Sequence, residues 1–230
     1  MIKQISGSQM ISEALHEEGV EIVFGYPGGA ALNIYDETYK QTYFKHVLVR
    51  HEQAAVHAAD GYARVSGKVG VAFVTSGPGF TNAVTGLATA YSDSIPVVLI
   101  SGQVPTFMIG TDAFQEIDAV GISRPCVKHN FLVNSVEELP CIIKEAFYIA
   151  RSGRPGPVHI DIPKNVTSRL GDFVYPKEIS IPSYKPTYKG NSKQIKKAAA
   201  AINEAKRPLL YIGGGAVASN ASEIIRKFMK

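Results

Sequence analysis

The sequence has no tryptophan, only two cysteines and no apolar run approaching the ~20 residues that a membrane helix needs. Its first residues also lack the apolar stretch of a secretory signal peptide. We therefore expect a cytoplasmic protein with no membrane contact. Cys126 and Cys141 show no metal-ligand spacing, so we expect reduced core thiols, although a disulfide between them stays open.

Charge of one sign is in only slight excess, because the formal net charge is +4. Much of the basic surplus falls after residue 184, where lysines are spread over a linker and separate segments. A nucleic-acid interface instead gathers Lys and Arg on one face, usually within a recognisable motif. The spacing here indicates solvated helix faces, and we expect no nucleic-acid partner.

Helical and strand patterns alternate along the chain, and the strands are nearly continuous apolar runs. Strands of this kind are buried on both faces. The pattern predicts an α/β fold with a doubly wound, mostly parallel sheet and helices on both faces. The predicted helices are 8–18, 31–39, 52–65, 80–91 and 136–151, and the predicted strands are 20–25, 44–49, 69–75, 96–101, 130–133 and 158–162.

A change in composition and periodicity near residue 168 predicts two domains, 1–168 and 191–230. Prolines recur and helical periodicity is lost between them, which makes 169–190 a linker. The second unit is predicted to hold one helix, a strand over 208–212, a glycine turn and another helix. A lone strand has no sheet to join. We therefore expect a truncated domain and a chain that is part of a longer protein.

The most informative candidate residue is Glu52, which falls where the strand 44–49 gives way to an alanine-rich helix. A carboxylate at a strand's end, beside a glycine-rich turn, lies where open α/β sheets bind ligands. There it can exchange a proton with a bound heterocycle. Taken alone, however, such a glutamate more often only favours the helix dipole.

Two glycine-containing loops follow predicted strands, at 25–30 and 75–82. Glycine lets the backbone approach a ligand closely, and backbone amides at a helix start can bind an anion or polar ring. Asn82 can point its amide back at whatever the second loop holds. That loop lacks the Gly-Lys-Ser/Thr ending of a nucleoside-triphosphate loop, so phosphate transfer is not expected.

Other segments carry weaker signals. The loop 102–121 is long and apolar, which is typical of a cavity wall or a subunit contact. Alanines in the helix 52–65 suit a close helix contact, either with the sheet or between subunits. His51 and His57 lack the spacing of a zinc-protease motif, so we expect no metal site there. Gly213 to Gly215 fit only a loose dinucleotide pattern, too near the chain end to support a nicotinamide oxidoreductase.

Together these motifs resemble the thiamine-diphosphate enzymes of the acetolactate synthase group, closely over residues 1 to about 168 and on through the glycine trio. The large catalytic subunit of that family has three α/β domains. They bind the cofactor's pyrimidine ring, FAD, and the diphosphate through a metal ion. The resemblance implies that this chain holds the first domain, the linker and the opening of the FAD domain. The Mg²⁺ ligands would then lie outside it.

The resemblance also implies a role for each matching residue. Glu52 matches the catalytic glutamate that shares a proton with the pyrimidine ring, Gln115 an active-site glutamine, and Lys164 a lysine at the substrate entrance. The implied contacts to thiamine diphosphate are Tyr26, Gly29, Pro78 and Asn82. The implied contacts to FAD are Arg154, Gly213, Gly214 and Gly215.

The implied reaction is decarboxylation of pyruvate on thiamine diphosphate and transfer of the hydroxyethyl unit to pyruvate or 2-oxobutyrate. It belongs to isoleucine and valine biosynthesis, and FAD undergoes no net redox change. The family's active site forms between subunits, which implies a homodimer or dimer of dimers, with a regulatory small subunit as a further partner. The chain alone should be inactive. The alternatives are another 2-oxo acid or oxalyl-CoA decarboxylase of the thiamine-diphosphate class, and a non-catalytic association module.

Overall fold

Eight strands occur in the computed structural model, which describes residues 3–230. Six of them form one sheet in which every neighbouring pair is parallel, so the expected parallel α/β sheet is confirmed. The strands are β1 (Lys3–Ser6), β2 (Ile22–Gly25), β3 (Lys45–Leu48), β4 (Gly70–Val74), β5 (Val97–Gln103), β6 (His129–Leu132), β7 (Val158–Pro163) and β8 (Leu170–Phe173). The order across the sheet is β3-β2-β4-β5-β7-β6.

The helices of this sheet domain form two layers. They are α1 (Gly7–Glu17), α2 (Leu32–Lys40), α3 (Glu52–Ser66), α4 (Pro78–Asp93), α5 (Ala119–Ser123), α6 (Leu139–Arg151) and α7 (Lys164–Ser168). Helix α1 contacts α2 and α6, whereas α4 contacts α3 and α5. Because parallel crossovers are right-handed, α2 and α3, which lead in opposite directions along the sheet, lie on opposite faces. The sheet is therefore doubly wound.

The chain reverses its winding at β2. From β2 it moves outward to the edge strand β3, then returns past β2 to β4. The carboxyl ends of β2 and β4 therefore flank a topological switch point, the place where open α/β sheets leave a crevice for ligands. The loops that follow β2, β3 and β4 all emerge there.

The core between the sheet and the helix pair α3/α4 depends on small residues. Strands β4, β5 and β7 are buried along their whole length. Ala55 and Ala59 of α3 and Ala83 of α4 are fully buried in the same cluster. A Cβ at Gly86 would lie 2.5 Å from Cβ of Val56, so the two helix backbones approach closely there. This close approach fixes the first turns of α3 and α4 relative to each other.

Three features of the first part of the chain differ from the sequence-based expectation. Strand β8 lies inside the expected linker 169–190 and pairs antiparallel with β1, and the first compact unit runs to residue 181. This pairing joins the two ends of that unit, which local patterns cannot reveal. Cys126 and Cys141 are both free thiols, but Cys141 is exposed rather than in the core.

The second compact unit, Pro182–Lys230, is described separately. Its helices are α8 (Ser192–Glu204), α9 (Gly214–Ala218) and α10 (Ser222–Phe228). In the described part of this unit the expected strand over 208–212 is not formed, and the side chains of Leu209 and Tyr211 are exposed. A strand needs a neighbouring strand to pair with. Within residues 3–230, no helix is both long and apolar enough to cross a membrane.

Candidate active site

Glu52 is the first residue of α3, directly beyond the carboxyl end of β3. His51 caps the helix in an extended conformation, and its Nδ1 accepts a hydrogen bond from the backbone N–H of Gln53 at 3.1 Å. The Glu52 side chain is only 8% exposed. Nδ2 of Asn82, in the first turns of α4, donates to Oε2 of Glu52 at 2.9 Å. Glu52 is thus a buried carboxylate at the switch point, with one oxygen already hydrogen-bonded to Asn82.

The loop after β4 runs beneath this carboxylate. A Cβ at Gly79 would lie 2.6 Å from Cγ2 of Thr75 and 3.3 Å from Oε1 of Glu52. Oε1 therefore lies over a backbone position that carries no side chain. Gly77 in the same loop has a φ of +54°, a conformation that glycine adopts at little cost. The loop 75–79 consequently packs its backbone closely against Thr75, Gln115 and the carboxylate, where a larger residue would clash.

The turn after β2 packs onto the same loop through Thr75. Oγ1 of Thr75 accepts a hydrogen bond from the backbone N–H of Ala30 at 3.3 Å. A Cβ at Gly28 would come within 2.4 Å of Cγ2 of Thr75, so only glycine fits at that position. Gly29 is different, because no heavy atom of the described residues lies within 4 Å of the place where its Cβ would be. Gly29 faces open space next to the switch point.

Gln115 reaches this region by its backbone. It lies in the loop that follows β5 and has a φ of +58°, which is uncommon for a residue other than glycine. A Cβ at Gly77 would lie 2.5 Å from the carbonyl oxygen of Gln115. The two loops are therefore in direct contact, and the exposed side chain of Gln115 lies at the edge of the crevice.

Lys164 lies farther along the same edge of the sheet. It begins α7 directly after β7, and its side chain is half-buried. Its carbonyl oxygen accepts hydrogen bonds from Oγ1 of Thr167 at 2.7 Å and from Nδ2 of Asn33 at 3.5 Å. Strand β7 is two strands from β4, or roughly 10 Å at ordinary strand spacing. Lys164 is thus placed at the rim of the crevice.

Tyr26 and Pro78 complete the group of residues that the structure brings to this edge. The backbone N–H of Tyr26 donates to the carbonyl of Phe73 at 3.3 Å, and the Tyr26 side chain is 40% exposed. Pro78 is the first residue of α4, where a missing backbone N–H costs nothing. The sequence patterns thus located residues from five separate loops at one edge of one sheet.

Arg154 and the glycine trio are not part of this group. Arg154 precedes β7 and therefore lies at the amino-terminal edge of the sheet, opposite Glu52. Its Nε donates to Oγ of Ser94 at 2.7 Å, and its Nη2 donates to the carbonyl of Ser92 at 3.3 Å. The trio Gly213–Gly215 belongs to the second unit, where it caps and begins the short helix α9.

Sequence reasoning missed Tyr35, which lies beneath the site. Its hydroxyl donates to the carbonyl oxygen of Phe73 at 3.0 Å and sits where a Cβ at Gly25 would clash, at 2.3 Å. Burial, and then the negative charge of Glu52, raise the pKa of Tyr35 far above its ordinary value. Nothing in the helical pattern of α2 marks this tyrosine, because its role depends on a contact with β2 and β4.

Among the residues that the structure describes, no group of three or more His, Cys, Asp or Glu side chains could hold a metal ion. His51 serves as a helix cap instead. The chemistry that the site itself offers is a buried carboxylate at the switch point, near the exposed backbone of Gly29.

Comparison with known proteins agrees with this chemistry. Residues 5–122 match the family described as thiamine pyrophosphate enzyme, N-terminal TPP binding domain. Because the match covers half of the chain, the chain belongs to the thiamine pyrophosphate enzymes, and this region is their N-terminal TPP-binding domain.

Several curated relatives are similar over nearly the whole chain. It is 56% identical over 226 residues to the acetolactate synthase large subunit of Buchnera aphidicola subsp. Schizaphis graminum and 55% identical over 229 residues to that of Haemophilus influenzae. The acetolactate synthase isozyme 3 large subunit of Escherichia coli is 53% identical over 228 residues. The alignments cover 97%, 99% and 98% of this chain but only 40% of each relative. The resemblance to the acetolactate synthase group is confirmed.

Proposed function

We propose that this chain supplies the pyrimidine-binding side of the active site of an acetolactate synthase large subunit. The complete protein would decarboxylate pyruvate on thiamine diphosphate and transfer the two-carbon unit to pyruvate or 2-oxobutyrate, in branched-chain amino-acid biosynthesis. The observation that carries the proposal is the buried carboxylate of Glu52 at the switch point, held on one oxygen by Asn82. The names of the relatives support the same activity.

The residues present fit the pyrimidine ring of thiamine diphosphate. Oε1 of Glu52 offers an acceptor above Gly79, and the open backbone at Gly29 leaves room for a flat ring. Loop 75–79 adds backbone next to that space. When bound, thiamine diphosphate supplies the carbanion-stabilising centre that amino-acid side chains lack.

Glu52 has one task in this account, which is to hold and return a proton at the pyrimidine N1′ atom. Asn82 donates to Oε2, so Oε1 would be the oxygen free to share a proton with the ring. Burial of Glu52 excludes water, which strengthens the hydrogen bond to the ring nitrogen. A proton held at a positioned carboxylate typically accelerates such a reaction by ~10²–10⁴-fold.

Gln115 and Lys164 would act on the substrate. The exposed amide of Gln115 can donate a hydrogen bond to a carbonyl oxygen above the crevice. Lys164, at the rim, supplies a cation that attracts the carboxylate of a 2-oxo acid and raises its local concentration. Their placement along the same sheet edge as Glu52 supports both roles.

The remaining parts of the machinery are proposed to involve residues away from Glu52. Mg²⁺ would be bound with the diphosphate by residues outside this chain. Arg154 in the first unit, and Gly213, Gly214 and Gly215 in the second, are each proposed as contacts to FAD. A homodimer or dimer of dimers, with a regulatory small subunit, would complete the assembly. The 230-residue chain alone would then be inactive.

Product analysis tests the proposal and separates it from its alternatives. The protein at its native length would be supplied with pyruvate, thiamine diphosphate, Mg²⁺ and FAD. Acetolactate as the product supports the proposal, and added 2-oxobutyrate should give acetohydroxybutyrate as well. Acetaldehyde alone would instead indicate a simple decarboxylase. No turnover of 2-oxo acids by correctly assembled protein would favour the non-catalytic association module.

A further inference from the structure

The loop 104–118, which carries Gln115, has an unusual backbone for its composition. Asp112 and Gln115 both have a positive φ, 56° and 58°, although neither is glycine. Residues in this region are strained and persist only where the surrounding structure imposes the conformation. Phe107 and Phe114 of the same loop are largely exposed, so apolar burial holds only its ends, where Val104 is buried and Ile117 packs against the core. Some other contact must fix the loop.

The side chain of Gln103 holds both ends of this loop. Gln103 is the last residue of β5 and is 3% exposed. Its Oε1 accepts a hydrogen bond from the backbone N–H of Val104 at 2.8 Å, and its Nε2 donates to the carbonyl of Ile117 at 3.0 Å. The first residue of the loop and the next-to-last one are therefore bound to the same amide group.

Gln103 is in turn anchored to the rigid centre of the sheet. Its Nε2 also donates to Oδ2 of Asp161, on β7, at 2.9 Å. Asp161 is 1% exposed, and its Oδ1 accepts a hydrogen bond from Oγ of Ser101 at 2.6 Å. Ser101 itself contacts Nε2 of His159 at 2.7 Å. These residues lie on two central strands, so the anchor cannot shift without the sheet.

Contacts within the loop connect the residues held by Gln103 to Gln115. The carboxylate of Glu116 accepts hydrogen bonds from the backbone N–H groups of Gly110 and Ala113, the latter at 2.9 Å, which ties the loop into one unit. The carbonyl of Gln115 then rests against Gly77. Gly77 begins the segment that carries Asn82 and, through it, the hydrogen bond to Glu52.

We propose that Gln103 is a positioning residue: its amide holds loop 104–118 so that Gln115 stays against Gly77 at the edge of the candidate site. It would act on the reaction through Gln115, since its own side chain is enclosed by Val104, Ile117 and Asp161. The catalytic part of this inference rests on the proposed function. The hold on the loop does not, because it is a property of the fold.

Two variants of the native-length protein test the inference. Gln103→Leu keeps the volume but removes every hydrogen bond of the amide. We expect amide hydrogen exchange across residues 110–117 to accelerate at least tenfold, and kcat for acetolactate formation to fall at least tenfold with little change in the KM for pyruvate. A shift in KM alone would point to binding rather than to positioning.

The paired exchange Gln103→Glu with Asp161→Asn separates positioning from plain stability. The new amide at position 161 can donate to the new carboxylate at position 103, and that carboxylate can still accept from Val104, so the buried contact is restored. A carboxylate has no hydrogen to donate to the carbonyl of Ile117. We therefore expect the double variant to have most of the thermal stability that Gln103→Leu loses. Amide hydrogen exchange in the loop should nevertheless stay fast, and kcat should stay low.

Lys128→Met is the matched control. Nζ of Lys128 donates to the backbone carbonyls of Ile149 and Ser152 at the opposite edge of the sheet. This change should lower stability yet leave loop exchange and kcat unaltered.

Three results would overturn the inference: loop exchange unchanged in Gln103→Leu, kcat unchanged while exchange rises, or kcat returning with stability in the double variant. If the wild type makes no acetolactate, the proposed function and the catalytic part fail. The exchange measurement still decides whether Gln103 holds the loop.

Discussion

Asn82 and Glu52 are joined by a hydrogen bond of 2.9 Å that links the first turns of two adjacent helices. Each side chain emerges just beyond a different parallel strand, and the close packing of α3 on α4 sets the distance between them. The bond occupies one carboxylate oxygen and leaves the other over Gly79. The pair lies at the switch point of the doubly wound sheet, where the proposed proton exchange with the pyrimidine ring would take place.

Replacement of Asn82 should weaken the reaction without abolishing it. Asn82→Ala leaves the buried Glu52 carboxylate without this donor, and removing a partner from a buried charged group costs on the order of 1–3 kcal/mol. We expect kcat to fall about tenfold or more, since 1.4 kcal/mol corresponds to a factor of ten. Steady-state kinetics of the native-length protein measure this. Thr85→Ala, an exposed change on the same helix, should leave kcat intact. Equal losses in both variants would contradict the role of Asn82.

Alanine at Gly28 and at Gly29 should give opposite results. A Cβ at Gly28 would meet Thr75 at 2.4 Å, so Gly28→Ala should destabilise the first unit by about 1–3 kcal/mol. Nothing within 4 Å opposes a Cβ at Gly29, so Gly29→Ala should change stability by less than about 0.5 kcal/mol. If the pyrimidine ring lies there, Gly29→Ala should nevertheless weaken the binding of thiamine diphosphate.

Chemical denaturation and cofactor titration of both glycine variants check this prediction. Gly29→Ala with unchanged stability and unchanged affinity for thiamine diphosphate would show that the ring binds elsewhere. For Gly28→Ala, the additional change Thr75→Ser removes the clashing Cγ2 and should recover part of the lost stability.

Asp161 should make the stability of the fold depend on pH. Burial raises the pKa of Asp161 to about 7, so the folded protein holds a proton that the unfolded chain releases above its ordinary value of 3.8. Folding therefore becomes less favourable as pH rises from 3.8 to about 7. Burial also lowers the pKa of the neighbouring His159 from its ordinary value of 6.5 to about 3. His159 therefore has the opposite effect: it makes folding more favourable as pH rises from about 3 to 6.5.

The difference in stability between Asp161→Asn and the wild type isolates the Asp161 contribution. The free energy of unfolding of Asp161→Asn should increase relative to that of the wild type as pH rises from 3.8 to about 7. The limiting slope for one proton is ~1.4 kcal/mol per pH unit. Urea unfolding at several pH values measures it. A difference that stays flat, or that moves in favour of the wild type, would contradict the assignment.

Local patterns predicted the sheet and most helices because those elements carry strong local signals. The alanine-rich run after His51 predicted α3 from Glu52 onward, and apolar runs predicted β4 and β5. Strands β1 and β8 went unrecognised because they are short and pair across the whole first unit. The strand expected over 208–212 had an apolar sequence but pairs with no strand among residues 3–230.

The same limit applies to the site. Glu52, Asn82 and Lys164 could be named because they follow predicted strands, and parallel strands deliver such residues to one edge. Thr75, Tyr35 and Gln103 could not, because their importance comes from contacts between segments distant in sequence. The roles of the named residues in catalysis stay predictions.

The most direct test of the account is the turnover number of Glu52→Gln in the native-length protein, compared with that of Glu21→Gln. Glutamine can still accept the hydrogen bond from Asn82 but cannot exchange a proton at N1′, so the fold should persist while kcat falls by ~10²–10⁴-fold. Glu21 is exposed and paired with Lys68 at the surface, so its variant should keep full activity. Wild-type turnover by Glu52→Gln, with thiamine diphosphate and pyruvate saturating, would contradict the account.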